Sequence, residues 1–135
     1  MPATDRDLLR LTGVHPTLVE KVKSLLDKFP MFVVQGVRTA EYQHSLYLQG
    51  RDGGPAGSKI VTFKDGYVHK SNHQPHADGL GHAVDLAWLG GDPFSVKLPW
   101  DAYGQAVEAA GLKWGGRWKM VDRPHVEMPD SDPKS

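Results

Sequence analysis

The stretch "SNHQPHADGLGHAVDLAW", Ser71 to Trp88, changes character halfway along. From His82 onward, Val84, Leu86 and Trp88 alternate with Ala83, Asp85 and Ala87, the period-two pattern of a β-strand. Alternation sends Asp85 to the face opposite Val84 and Leu86, and turns His82 away from Asp85 toward a packing or surface role. Ahead of the strand, His73, His76, Asp78, Gly79 and Gly81 crowd a polar loop. The two glycines let that loop fold back tightly onto the strand, and Asp78 is placed to cap the turn.

The elements on either side follow from periodicity and caps. Thr17 to Phe29, "TLVEKVKSLLDKF", sets Leu18, Val22, Leu25 and Phe29 on one helical face behind Pro16. "MFVVQG", Met31 to Gly36, is apolar and β-branched, which predicts a buried strand. Thr39 reads as the N-cap of a second helix ending near Gly50. Asp101 to Ala110 reads as a third, closed by Gly111. Between them, residues 51–71 are rich in Gly, Ser and Lys around a brief "IVTF" run, so a surface loop with a short strand or hairpin is expected there, turning at "KDG". The segment "LKWGGRWKMVDRPHVEM" reads as strand, Gly-Gly turn, strand. The sum is an α+β fold, about three helices packed on a small, mostly antiparallel sheet. One domain over residues 1–128 and a frayed tail over 129–135 are expected.

Composition narrows the function. Sixteen basic residues balance sixteen acidic ones, whereas nucleic-acid binders show a basic excess or stripe. With no cysteine, disulfides are excluded and any zinc site must use nitrogen and oxygen ligands. The first residues, "MPATDRDLLRLTGVHP", have acidic residues beside their one apolar cluster and no long apolar run, so neither a signal peptide nor a membrane span is expected.

Two features carry chemistry. An aspartate on a strand, a histidine in the loop leading to it and a histidine on another strand suit catalytic zinc, which takes three protein ligands and keeps a fourth position open. In "DRPHVEM", Asp122 and His125 stand three residues apart around a proline that fixes one backbone angle. His125 would hold the metal there while Asp122 acts as general base and then general acid. The competing reading of this motif pairs Asp122 with Arg117 or Arg123 at a turn and leaves His125 to pack.

In order and spacing, "QGVRTAEYQHSLYLQGR", "SNH…GLGHAVDLA" and "WGGRWKMVDRPHVEM" resemble the zinc cell-wall peptidases that include D-Ala-D-Ala carboxypeptidases and phage L-alanyl-D-glutamate endolysins. The resemblance runs from about Leu11 to Met128. It implies the small α+β domain shared with hedgehog-type and lysostaphin-type proteins. It also implies one Zn2+ per chain on His73 (from Ser-x-His), Asp85 (from Gly-x-Ala-x-Asp) and His125, with Asp122 as catalytic acid/base. Arg38 would bind substrate or steady the developing oxyanion, a large term in such reactions, and Gln43 would assist it. Ser71 is carried over as a substrate-binding residue with Arg38 and Gln43.

One departure marks this chain. Eleven residues separate His73 from Asp85, more than in the compact form of the motif, where counting back would land on Asp78. A loop insertion in "QPHADGL" accounts for this, with His76 as the alternative ligand. Trp114 and Trp118 flank Gly115-Gly116 and would hold a sugar or peptide stem beside a cleft, the competing reading being that they fill core. Glu127 is placed to orient a ligand histidine.

These readings imply a zinc-dependent peptidoglycan peptidase, an endolysin-type L-alanyl-D-glutamate endopeptidase before a D-Ala-D-Ala carboxypeptidase. A non-catalytic wall-binding module on the same fold is the alternative from another class. The expected partner is the stem peptide of bacterial peptidoglycan, with no nucleic acid and no membrane span. The expected protein is a monomer made in the host cytoplasm and reaching the wall after holin-type release.

Overall fold

The structure is a computed structural model and describes residues 2–129; all but the first residue of the expected tail lies outside them. Its sheet is antiparallel throughout, ordered β1-β2-β4-β3, with β1 Met31–Gln35, β2 Ala83–Trp88, β3 Lys113–Trp114 and β4 His125–Glu127. Four α-helices occur among the described residues: α1 Asp5–Arg10, α2 Pro16–Lys28, α3 Ala40–Leu48 and α4 Trp100–Ala109. The α+β class is as expected, with one helix more than expected.

Local chemistry explains the helix ends. His15 Nδ1 accepts from the Thr17 amide ahead of α2, Thr39 Oγ1 accepts from the Tyr42 amide ahead of α3, and Gly111 follows α4 at φ +81°. The unexpected helix, α1, is held by a capping box in which Thr4 and Asp7 bond each other's backbone amides. Asp7 has a second task. Its Oδ1 accepts from the Val33 amide at 2.9 Å while Arg10 donates to the Val33 carbonyl at 2.8 Å. Together they satisfy backbone groups on the open edge of β1, which would otherwise invite pairing with another chain.

The apolar face of the sheet, with Val33, Val84, Leu86 and Val126, shares one core with Leu18, Val22, Leu25 and Leu26 of α2 and Tyr103 and Val107 of α4. Asp85, His125 and Glu127 alternate onto the other face. That face is covered by the loop preceding β2, so all six β2 residues are buried. The loop is pinned at its end: the Gly81 amide donates to the Gly13 carbonyl, and the His15 amide to the Gly81 carbonyl.

The hairpin expected between residues 51 and 71 does not form. Asp65 Oδ1 accepts from the amides of Tyr67, Val68 and His69, a side-chain turn that takes up groups a strand pair would need. Arg51 ties the Thr62 carbonyl, at 3.1 Å, and that of Tyr47 to one guanidinium. The "KDG" segment does turn. The Gly-Gly segment is a 3-10 turn, Gly115–Arg117, after which the chain returns as β4 and pairs with β3.

Candidate metal centre

Asp85 and His125 face each other directly across β2 and β4, which puts their side chains on one face at contact distance. His73 comes to the same point from the loop. Its Nε2 lies 3.2 Å from His125 Nδ1 and 3.4 Å from Asp85 Oδ1, and His125 Nδ1 lies 3.2 Å from Asp85 Oδ1. Each donor is aimed by a bond on its far side. His73 Nδ1 sits 2.8 Å from the Gly36 carbonyl, a group that can only accept, so the proton is on Nδ1 and the lone pair of Nε2 faces the trio. His125 Nε2 likewise meets Glu127 Oε1 at 2.8 Å, leaving Nδ1 for the site. Asp85 Oδ2 accepts from Arg38 at 3.1 Å, leaving Oδ1.

The three donor atoms lie within 4.8 Å of one another, a group able to hold a metal ion. Two imidazole nitrogens and one carboxylate oxygen, each fixed from behind, suit zinc and would accept other divalent ions. Glu127, itself 1% exposed, is held in turn by Asn72 Nδ2 at 3.0 Å. The expected orienting role of Glu127 thus has a concrete geometry, and Asn72, the middle residue of Ser-x-His, extends it.

The charges of the site are tightly linked. Burial pushes the His73 imidazole below its ordinary value, favouring the neutral form a ligand needs. Burial also opposes a charge on His125, yet hydrogen bonds to Asp85 and Glu127 and the charges of Asp85 and Asp122 raise it to about 9. Asp85 is held well below the usual carboxylate range: burial resists this, and the two histidines overcome it. Asp122, with its side chain half-exposed and Oδ2 4.0 Å from His125 Nδ1, is raised to about 6 by burial and by the charge of Asp85, against His125 and Arg38.

The trio lies in a cleft of roughly 1410 Å³ with apolar walls from Ile60, Val61 and Phe63 on one segment and Trp118, Met120 and Val121 on another. Arg38, Ser71 and Asp122 line it as well. Ser71 also accepts the His73 amide on Oγ at 3.2 Å. Gly115 explains how Asp122 is placed: a Cβ there would meet the Asp122 carbonyl oxygen at 2.4 Å, and the Asp122 amide donates to the Gly115 carbonyl.

Two sequence expectations change. Gln43 is fully buried, with Oε1 accepting from Arg38 and Nε2 donating to the Lys64 carbonyl, so it braces Arg38 from inside rather than meeting substrate. Trp114 is turned inward between Gly104 and Gly116, with Nε1 donating to the Arg123 carbonyl, and it fills core. Trp118 is the tryptophan of the cleft, its ring centroid 4.7 Å from that of His125. His76 stacks on His82 at 3.8 Å and stands outside the trio, while His82 bonds Asp78 at 2.8 Å, away from Asp85 as expected.

Residues 65–128 match the D-alanyl-D-alanine carboxypeptidase family. Among solved structures, the L-Ala D-Glu endopeptidase ChiX of Serratia marcescens superposes with a TM-score of 0.62 at 28% identity, over 95% of this chain and 90% of that one. Sequence match and fold match agree with the resemblance carried by the three sequence blocks: residues 65–128 are similar to the D-alanyl-D-alanine carboxypeptidase family, and the fold is similar to that of an L-Ala D-Glu endopeptidase.

Proposed function

We propose that this chain is a zinc-dependent peptidoglycan peptidase of endolysin type, an endopeptidase that cuts the L-alanyl-D-glutamate bond of stem peptides. The observation that carries the reading is the convergence of His73 Nε2, Asp85 Oδ1 and His125 Nδ1 at a cleft, with the Asp122 carboxyl 4.0 Å from one of them. When bound, zinc would supply Lewis acidity, polarising the scissile carbonyl and bringing the pKa of water down to ~7.

The chain's own residues do the rest. Asp122 takes the proton of the attacking water on a carboxylate oxygen and returns it to the leaving amine nitrogen. In the metal-free chain burial and the charge of Asp85 raise its pKa to about 6, and an acid/base works best when its pKa lies near the working pH. Arg38 engages three of its five N–H groups with Gln35, Gln43 and Asp85. It also lines the cleft, so the others are available to an oxyanion. The apolar walls from Ile60, Val61, Phe63, Trp118, Met120 and Val121 offer a lining for the apolar parts of a peptide.

The fold match over nearly the whole chain supports the endopeptidase reading, while the description of the matched family supports a D-Ala-D-Ala carboxypeptidase as the second reading. In the endolysin reading the protein acts as a monomer and reaches the wall from the host cytoplasm by holin-type release. An Asp122→Ala variant tests the mechanism: it is expected to bind zinc as the wild type does and to lose hydrolysis by ~10²–10⁴-fold. Unchanged hydrolysis would remove Asp122 from the reaction. A wall-directed effect independent of Asp122 would point instead to a binding module.

A further inference from the structure

The register between β1 and β2 slips at one place. Phe32 pairs with Ala87 and Val33 with Leu86, but the next partner of β2, Asp85, pairs with Gln35. Val34 is the extra residue of a bulge, the kind of irregularity that re-aims a side chain. Without it Val34 would stand opposite Asp85, and an apolar side chain would face the carboxylate. With it, Gln35 shares the face of Asp85 and its Oε1 accepts from Arg38 Nε at 2.6 Å. On the other side of the same guanidinium, Gln43 Oε1 accepts from Arg38 at 3.1 Å. The third nitrogen of Arg38 donates to Asp85 Oδ2 at 3.1 Å. Each guanidinium nitrogen therefore has one fixed acceptor, and the planar fork cannot rotate without losing one.

Resting on the reading of the trio as a metal centre, we propose that Gln35, set in place by the bulge, and Gln43 are positioning residues. By fixing Arg38 they keep Oδ2 of Asp85 occupied, so that the carboxylate offers a metal one oxygen and not two. Asp85 Oδ1 is the oxygen turned to both histidines. Carboxylates bind metals through one oxygen or both, and hydrolytic zinc depends on a position left open for water or substrate. A carboxylate free to turn would fill such a position with its second oxygen. The bracket thus keeps the protein's contribution at three donor atoms.

Gln35 is partly exposed at the sheet margin, which makes it the place to test the bracket in the full chain. Loaded with cobalt(II) in place of zinc, the wild type is expected to show the intense visible bands of a low-coordinate ion. Gln35→Met, which keeps the side-chain length and removes the acceptor, is expected to weaken those bands and to lower kcat by ~10–100-fold with little change in KM. Gln35→Glu, which restores an acceptor for Arg38 Nε, is expected to return both toward wild type. Should Gln35→Met fail to fold, as read by circular dichroism, Arg38→Lys carries the same spectral expectation, because one ammonium cannot span three acceptors held in fork geometry. Bands of wild-type intensity in a folded, cobalt-loaded Gln35→Met or Arg38→Lys chain would overturn the positioning role and leave the metal reading intact. A wild-type chain that takes up neither cobalt nor zinc would overturn the metal reading itself.

Discussion

His125 Nε2 lies 2.8 Å from Oε1 of Glu127, two residues further along the same strand. This contact decides which nitrogen His125 presents to the site, and since Glu127 is buried and held by Asn72, the choice is made deep in the fold. Removing the carboxylate would free the ring to turn. Glu127→Ala is expected to weaken zinc binding by ~10–100-fold in a chelator competition, and Glu127→Gln, whose amide oxygen still accepts, by less. Equal affinity for wild type and Glu127→Ala would show that His125 is aimed by something else.

The same cluster sets a pH dependence whose sign can be worked out. His125, raised from 6.5 to about 9, holds a proton more tightly in the folded metal-free chain than in the unfolded one. That stabilisation is complete below pH 6.5 and lost as the pH rises through about 9. Asp122, raised from 3.8 to about 6, acts in the same direction and is lost through about 6. Asp85, held low, acts oppositely, and its contribution disappears only as the pH falls below the ordinary carboxylate range. Zinc needs His125 Nδ1 unprotonated. The rise in melting temperature caused by zinc is therefore expected to grow with pH up to about 9, measured by scanning calorimetry with zinc and with chelator. A zinc effect that shrinks over that range would contradict the proton assignment.

Trp114 separates stability from binding. A Cβ on Gly104 would lie 2.3 Å from its ring, and one on Gly116 2.2 Å. Trp114→Ala is expected to cost ~3–5 kcal/mol of stability, and Gly104→Ala ~1–3 kcal/mol through overpacking, both visible in urea denaturation. Trp118→Ala is expected to leave stability nearly unchanged and to raise KM. A raised KM for Trp114→Ala at wild-type stability would return that residue to the cleft.

Strand periodicity made the placement of Asp85 legible, and the proline beside His125 made its spacing legible. The choice of His73 among the loop histidines rested on the resemblance of its Ser-x-His to the family motif. Asp85 interrupts an apolar strand, His125 follows a rigid proline onto the neighbouring strand, and Ser-x-His marks the loop that closes over both. The insertion between His73 and Asp85 did not hide the site, since Gly79, at φ +79°, and the Asp78 cap take up its length in a turn. What stayed illegible depends on departures from those periods. Gln35 faces Asp85 only because of a bulge, and nothing in "MFVVQG" announces one. Trp114 and Trp118 take different roles, core and cleft, because a 3-10 turn separates them and alternation does not carry across it. The helix α1 has six residues and too few apolar positions to show a period; its signal was the Thr4-x-x-Asp7 box.

The most direct test of the central claim is digestion of purified peptidoglycan by the metal-loaded protein, with and without chelator, reading every new amino terminus and released residue by mass spectrometry. New D-glutamate amino termini that disappear with chelator are the predicted result, and released D-alanine in their place would move the cut to the end of the stem. No new ends from several wall chemotypes, with zinc confirmed on the protein, would contradict the account.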